Sequence, residues 1–169
     1  MKPIHAAVPL FALAVSLGAS GALAASANLT SADGKDLGTV ELTGTPNGVI
    51  LHATLAGLPA GTHGFHIHET GACTPDFKAA GDHFAGGAEK HGFNVEGGPH
   101  AGDMPNIHVP DSGELEFEVF NPLVSLDDGE GGLFDQDGTA IIIHSGGDDY
   151  ESQPSGDAGD RIACAVIEQ

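Results

Sequence analysis

The chain has 169 residues, with five Lys and Arg against 24 Asp and Glu, and a formal charge of −19. The length fits one domain, and so negative a charge excludes nucleic acid and anionic membranes as partners, because both are bound through clustered Lys and Arg. The 26 glycines and 10 prolines predict many turns and few long helices, and the 10 histidines point to metal binding.

The first residues have the layout of a secretory signal peptide. Lys2 precedes an apolar run over residues 6–17, and the small residues Ala22-Leu23-Ala24 fit a signal-peptidase site. The apolar run is shorter than the roughly 20 residues that span a membrane, which disfavours an uncleaved anchor. We expect residues 1–24 to be cleaved, with a cut after Ala27 as the alternative. Residues 25–169 then form a single exported domain with 24 acidic residues, four basic ones and a formal charge of −20.

Export also affects the interpretation of the two cysteines, Cys73 and Cys164. An oxidising compartment favours a disulfide between them. That bond would close a loop of about 90 residues, which the chain-entropy model values at ~4–5 kcal/mol. The alternatives are two free thiols or a metal–thiolate site, and the sequence has no C-x-x-C spacing to support the latter.

The mature sequence has the pattern of short strands separated by turns. Residues 40–42 and 49–55 flank a turn cluster at 45–48 and predict a hairpin. Alternating patterns predict strands at 65–68 and 114–119, and the second should turn its glutamates to solvent and its apolar residues to the core. Apolar runs predict strands at 140–143 and 161–167.

Three segments rich in Gly and Asp do not fit strands: residues 69–113, 121–139 and 144–160. Loops this long in a small domain are usually functional or disordered, and the first holds four of the histidines. The sequence therefore predicts an all-β sandwich or barrel with long functional loops.

The histidines fall into two sets. His66 and His68, two residues apart on a predicted strand, share one face, and His144, at the end of the 140–143 strand, could join them in a copper shell. In the 69–113 loop, three histidines and an aspartate could form the closed tetrahedral shell of a structural zinc: His83, His91, His100 and Asp103.

Four motifs of the sequence resemble those of a known family: GFHIHE (64–69), GPHAGD (98–103), HSGGDD (144–149) and RIAC (161–164). In order and spacing, over nearly the whole mature chain, they resemble copper/zinc superoxide dismutases of the bacterial exported type. The resemblance implies periplasmic location and an immunoglobulin-like Greek-key β-sandwich or barrel. It also implies two functional loops, a zinc and disulfide loop within residues 69–113 and an electrostatic loop at residues 144–160.

The resemblance assigns roles residue by residue. The implied copper ligands are His66, His68, His83 and His144. The implied zinc ligands are His83, His91, His100 and Asp103, so that His83 is shared as an imidazolate. Asp148 is implied to accept hydrogen bonds from His66 and His91, Arg161 to attract and dock the superoxide anion, and Cys73 to pair with Cys164.

The implied reaction is the conversion of superoxide to dioxygen and hydrogen peroxide. Copper takes an electron from one superoxide and gives one to the next, His83 carries a proton, and zinc holds His83 in place without redox work.

A periplasmic copper and zinc carrier on the same fold is the alternative, but a carrier needs neither Arg161 nor a shared His83. A zinc hydrolase is disfavoured because three histidines and an aspartate leave no position for water. Both a monomer and a homodimer fit the sequence.

The acidic residues depart from the family pattern, which places basic residues near the substrate channel. Four carboxylates lie in the matching segments: Asp82, Glu151, Asp157 and Asp160. Asp160 directly precedes Arg161 and could partly cancel its field, with Lys78 and Lys90 as the cations available to offset it. Of the remaining histidines, His63 is expected to support loop packing, His52 to lie on a strand face and His108 to lie on the surface.

Overall fold

The computed structural model describes residues 23–129 and 131–169, so the predicted signal peptide lies almost wholly outside the described residues. Within these ranges the chain forms nine strands and one short 3-10 helix at Phe77–Ala80. The strands are β1 (Ala24–Ser31), β2 (Asp36–Thr45), β3 (Gly48–Ala56), β4 (Gly61–His63), β5 (Phe65–His68), β6 (Ile107–Val109), β7 (Glu114–Asn121), β8 (Ala140–His144) and β9 (Arg161–Val166). The all-β prediction is confirmed. No helix in the described ranges is long and apolar enough to cross a membrane.

Seven strands form one curled antiparallel sheet in the order β5-β8-β9-β1-β2-β3-β7, and β4 pairs with β6 in a second, two-stranded sheet. The predicted hairpin is present as β2 and β3, whose register runs to Thr45 opposite Gly48 around a two-residue turn. Other neighbours, such as β3 with β7 and β5 with β8, are far apart in sequence, as in Greek-key connections.

The core follows the period-two alternation of the strands. On β3, Val49, Leu51, Ala53 and Leu55 are buried while the intervening residues are partly or fully exposed. The predicted acidic strand is confirmed as β7, whose glutamates are exposed and whose Leu115, Phe117 and Val119 are half-buried against the core.

In contrast, β5 and β8 are buried along their whole length. On β5, Phe65 and Ile67 belong to the main core, so His66 and His68 point to the opposite face. The register places Ile142 beside His66 and Ala140 beside His68, so His144, next in that series on β8, lies on the same face of the sheet. The two sequence-distant strands thus bring three histidines together under the long loops.

The predicted disulfide is formed between Cys73 and Cys164, with Cα atoms 5.8 Å apart. It joins the first long loop to β9 and packs with Ala80 and Ile142 in a small second core. The long loop was predicted to run without regular structure from 69 to 113, but it includes the 3-10 helix and β6. Strands β1 and β4 were not predicted from the sequence.

Candidate metal centre

Four histidines form the first group of side chains that could hold a metal: His66, His68, His83 and His144. Two come from β5 and one from the end of β8, and His83 comes from the loop after the 3-10 helix. All four are buried, and one potential ligand nitrogen from each lies within 4.8 Å of the others.

The second group lies in the long loop and shares a member with the first: His83, His91, His100 and Asp103. The Nδ1 atoms of the three histidines converge on Oδ1 of Asp103, at 2.7 Å for His83, 3.0 Å for His91 and 3.6 Å for His100. The other carboxylate oxygen, Oδ2, accepts 2.9 Å hydrogen bonds from the backbone N–H groups of Gly92 and His100. One oxygen of Asp103 is therefore fixed by the backbone and the other faces the histidines.

Backbone hydrogen bonds dock this loop against β5. Ile67 donates its N–H to the carbonyl of Gly102 and accepts a hydrogen bond from the N–H of Phe84, each at 2.9 Å. A Cβ atom at Gly102 would lie 2.1 Å from the Ile67 carbonyl oxygen, so only glycine permits this approach. The docking brings His83 and Asp103 next to His68 and His66.

Hydrogen-bond acceptors fix the orientation of the first-group rings. His68 Nδ1 donates to the carbonyl of Gly81 at 3.0 Å, and His144 Nδ1 donates to the carbonyl of Gly159 at 3.2 Å. Since a carbonyl oxygen only accepts, Nδ1 carries the proton in both rings and Nε2 is left unprotonated.

The carboxylate of Asp148 connects the two groups. Its Oδ2 accepts a 2.9 Å hydrogen bond from His66 Nε2, and its Oδ1 accepts a 3.0 Å bond from His91 Nε2. The His66 ring then presents an unprotonated Nδ1 to its group, and the His91 ring directs its Nδ1 to Asp103 within the second group, at 3.0 Å. The structure thus brings together all the residues that the resemblance assigned to the metals and Asp148 behind them.

The donor set fits two metal ions. In the described part of the chain, five buried side-chain nitrogens have no hydrogen-bond partner: His66 Nδ1, His68 Nε2, His83 Nε2, His100 Nδ1 and His144 Nε2. Four of them belong to the first group, and leaving such atoms unpaired in a protein interior is costly. Neutral imidazole nitrogens suit copper and zinc, and three histidines with one carboxylate suit a structural zinc.

Burial keeps the first-group histidines uncharged. It lowers the pKa of His66 to about 4, against the opposing hydrogen bond to Asp148, and the pKa of His144 to about 3. The pKa of His68 is also well below its usual value, chiefly through burial. These rings are therefore ready to bind a metal in weakly acidic solution.

The second group is electrostatically different because it contains carboxylates. Burial lowers the pKa of His91, but hydrogen bonds to Asp103 and Asp148 outweigh it and raise the pKa to about 9. Burial also raises the pKa of each carboxyl, yet the histidine donors hold the pKa of Asp103 and of Asp148 well below the usual range. Both carboxylates are ionised and can neutralise a bound cation.

Arg161 lies beside the first group, opposite His144 across a β-bulge between β8 and β9. Its guanidinium donates to the carbonyls of Phe77 at 2.7 Å and Gly81 at 2.6 Å. The Gly81 carbonyl therefore accepts hydrogen bonds from both Arg161 and His68. Burial lowers the pKa of Arg161, while the charges of Asp82 and Asp76 raise it.

A cleft of about 930 Å³ opens beside Arg161. Four carboxylates and two cations line it: Glu69, Asp76, Asp82, Asp160, Lys78 and Arg161. The charges that raise the pKa of Arg161 are those of Asp82 and Asp76, and not that of its sequence neighbour Asp160. Asp82 was predicted from the sequence, whereas Asp76 was not. Lys78 lines the cleft as a possible offsetting cation, whereas Lys90 is exposed outside it.

The remaining histidines lie outside both groups. Buried His63 packs between the carbonyls of His144 and Pro59, at 2.8 and 2.9 Å. His108 is exposed and contacts Thr62. His52 lies on the outer sheet face between glutamates of β2 and β7. The carbonyls of Gly81 and Gly159, which accept from His68 and His144, were not predicted, because backbone acceptors have no residue-type signal in the sequence.

Comparisons with known proteins agree with this geometry. Residues 37–167 match the sequence family described as copper/zinc superoxide dismutase (SODC). The Cu-Zn superoxide dismutase 2 of Aquifex aeolicus is 45% identical over 170 residues, covering 99% of each chain. The Cu-Zn superoxide dismutase of Caulobacter vibrioides is 45% identical over 148 residues, covering 85% of this chain and 84% of its own.

Solved structures share the fold. The crystal structure of a double mutant of a SOD-like protein from Bacillus subtilis superposes with a TM-score of 0.81 at 38% identity. The match covers 85% of this chain and 97% of the other. With the family match spanning most of the sequence and the histidine groups in place, the chain belongs to the copper/zinc superoxide dismutase family.

Proposed function

We propose that this chain is a superoxide dismutase, which converts two superoxide ions and two protons into one dioxygen and one hydrogen peroxide. The observation that carries the proposal is the pair of buried ligand groups that meet at His83. Relatives named copper/zinc superoxide dismutases are 45% identical over up to 99% of this chain, which supports the same assignment.

The two groups take different metals. Copper is assigned to the all-histidine group, and zinc is assigned to the group that contains Asp103. When bound, copper supplies two adjacent oxidation states for electron exchange with superoxide, and zinc supplies a fixed divalent charge without redox chemistry.

His83 serves as the proton carrier. Its Nδ1 lies 2.7 Å from Asp103 in the zinc group, while its Nε2 faces the copper group without a hydrogen-bond partner. Because Nδ1 holds the ring in place, Nε2 can receive a proton and pass it to the forming peroxide without movement of the backbone. The ring is buried, so this proton is delivered inside the site.

Arg161 docks the anion. The carbonyls of Phe77 and Gly81 hold its guanidinium, and Arg161 both lines the cleft and lies opposite His144 of the copper group. Its partial burial strengthens its field at short range. A metal carrier would have no use for a fixed cation at this position. Arg161 therefore favours the enzyme over the carrier.

We further propose that residues 1–24 are a cleaved signal peptide and that the mature protein is periplasmic. Cleavage after Ala24 keeps most of β1, in which Ala25 and Ala27 are buried and Ser26 exchanges two 2.8 Å backbone hydrogen bonds with Glu168. Cleavage after Ala27 would remove all three residues, so the structure supports the earlier site.

Activity is the first test. The mature chain loaded with copper and zinc should consume superoxide far faster than buffer in a pulse-radiolysis assay. Arg161→Ala should lower the rate by about 10-fold or more, because steering and docking of charged ligands are worth factors of this size. Arg161→Lys should retain part of the rate because it keeps the charge but not the paired donors.

Two variants complete this experiment. His83→Ala should lose activity, whereas His108→Ala, which removes an exposed histidine, should retain it together with full metal content. If the loaded native chain were no faster than buffer, the carrier alternative would replace the enzyme.

The acidic cleft predicts the salt dependence of the rate. With carboxylates outnumbering cations around Arg161, superoxide is repelled on approach, so the rate should rise with ionic strength as screening increases. Asp76→Asn with Asp82→Asn should raise the low-salt rate about 2-fold per charge, since unit charges ~8 Å apart in water interact by ~0.5 kcal/mol. The control is Glu114→Gln with Glu118→Gln, which removes the same number of charges from exposed positions of β7 outside the cleft and should leave the rate nearly unchanged. A rate that falls with salt would contradict this prediction.

The lowered pKa values of the copper-group histidines predict few displaced protons. At pH 5.5 an ordinary imidazole is ~90% protonated, so three of them would release nearly three protons on binding copper. With the pKa of His66 near 4 and that of His144 near 3, both rings are already neutral at this pH. Titration of the zinc-loaded protein with Cu²⁺ in buffers of different ionisation enthalpy should therefore show a proton release well below three. Release of three or more protons would contradict the lowered pKa values of these histidines.

The cleavage site is tested by the intact mass of the protein recovered from a periplasmic extract. We expect a chain that begins at Ala25, because the retained residues complete β1. A mature chain that begins at Asn28, or protein that stays with the membrane at full length, would contradict the proposal.

A further inference from the structure

Two side-chain amides that the proposed function leaves unused flank the metal groups. Asn106 lies directly before β6, and Gln153 lies in the electrostatic loop. Each makes a pair of hydrogen bonds to the backbone of one residue, donating through its N–H and accepting through its oxygen. The residues that they hold are Asp148 and His91, which are themselves joined by a side-chain hydrogen bond.

Asn106 holds Asp148. Its Nδ2 donates to the Asp148 carbonyl and its Oδ1 accepts from the Asp148 N–H, both at 2.8 Å. The backbone N–H of Asn106 donates to the hydroxyl of Tyr150 at 2.8 Å, and the N–H of Tyr150 donates to Asp148 Oδ1 at 2.6 Å. The position of the Asp148 carboxylate is thus tied to the start of β6, which is paired with β4.

Gln153 holds His91 in the same way. Its Oε1 accepts from the His91 N–H at 3.0 Å, and its Nε2 donates to the His91 carbonyl at 2.8 Å. Although Gln153 is exposed, it contacts a backbone whose histidine ring is fully buried. The electrostatic loop therefore holds this zinc-group residue at the ring, through Asp148, and at the backbone, through Gln153.

The space around the Asp148–His91 hydrogen bond is fully used. Gly156, at φ +68°, packs against it, and a Cβ atom there would lie 1.8 Å from Asp148 Oδ1 and 2.7 Å from His91 Nε2. Gly156 of the electrostatic loop therefore fits against this hydrogen bond only when Asp148 and His91 keep the positions that Asn106 and Gln153 give them.

We propose that Asn106 and Gln153 are positioning residues that fix the Asp148–His91 hydrogen bond and thereby control zinc retention. The inference rests on the proposed assignment of zinc to His83, His91, His100 and Asp103. An amide suits this task because each backbone partner offers both a donor and an acceptor, and a carboxylate could satisfy only the donor. Through the second oxygen of Asp148, the same clamp also orients His66 in the copper group.

The test measures zinc release from the mature metal-loaded protein into an excess of a chromogenic zinc chelator. Asn106→Ala and Gln153→Ala should each release zinc about 10-fold faster than the native protein, in the range seen when residues behind metal ligands are removed. Asn106→Asp and Gln153→Glu keep the size and one acceptor but lose the N–H donor, so they should show the same direction of change. These isosteric variants protect the test against a variant that fails to fold.

A spectroscopic measurement separates positioning from a general loss of stability. With Co²⁺ in the zinc group, the amide variants should shift the visible ligand-field bands, because His91 changes its orientation. Val40→Ala, a cavity in the core of β2, should lower the unfolding midpoint without shifting these bands. Gln136→Ala, at an exposed glutamine in another loop, should match the native protein in both measurements.

The outcomes separate the two proposals. If His100→Ala retains zinc as well as the native protein does, the zinc assignment itself fails. If His100→Ala loses zinc while the four amide variants keep native release rates and native Co²⁺ bands, the assignment stands and the positioning role is overturned.

Discussion

The double hydrogen bond at Asp148 is the interaction on which the arrangement of the site depends. A carboxylate can only accept, so His66 and His91 must both direct Nε2–H towards it, and both rings must turn Nδ1 towards their own groups. One side chain therefore orients one member of each metal group. It comes from a loop 82 residues from His66 and 57 from His91 in sequence, so neither group can be fully ordered until that loop has folded over β5 and β8.

Backbone carbonyls extend the same constraint to the other side of the site. Gly81 accepts from both His68 and Arg161, and Arg161 lies three residues before Cys164, whose disulfide holds the other end of the same loop segment. Ligand orientation, the proposed anion docking and the covalent link therefore share a short stretch of chain. Ordering such glycine-rich loops costs conformational entropy, and the disulfide, worth ~4–5 kcal/mol in the chain-entropy model, offsets part of it. Metal binding can supply the rest.

The sequence was informative where chemistry resides in side chains and where periodicity is strong. The alternation around His66 placed the histidines on the correct face, and the all-β class followed from the strand patterns. The β1 strand was missed because the first two of its inward residues, Ala25 and Ala27, are small and coincide with a signal-peptidase pattern. At three residues each, β4 and β6 are too short to show a period. Asn106 and Gln153 are ordinary polar loop residues until the fold shows which backbone groups they face.

The acidity of the chain acts mainly on approach of the substrate, because charge effects depend on where each charge lies. Exposed carboxylates are surrounded by water and are screened over ~8 Å at physiological salt, so they repel an anion weakly and at long range. Arg161 is partly buried between two carbonyls, where the lower dielectric strengthens its field over a few ångströms. In the proposed role of Arg161, an anion that has entered the cleft is governed by this residue, and the surrounding acids affect how often it enters. A strongly negative enzyme can in this way act on a negative substrate, with the acidic surface limiting encounter rather than docking.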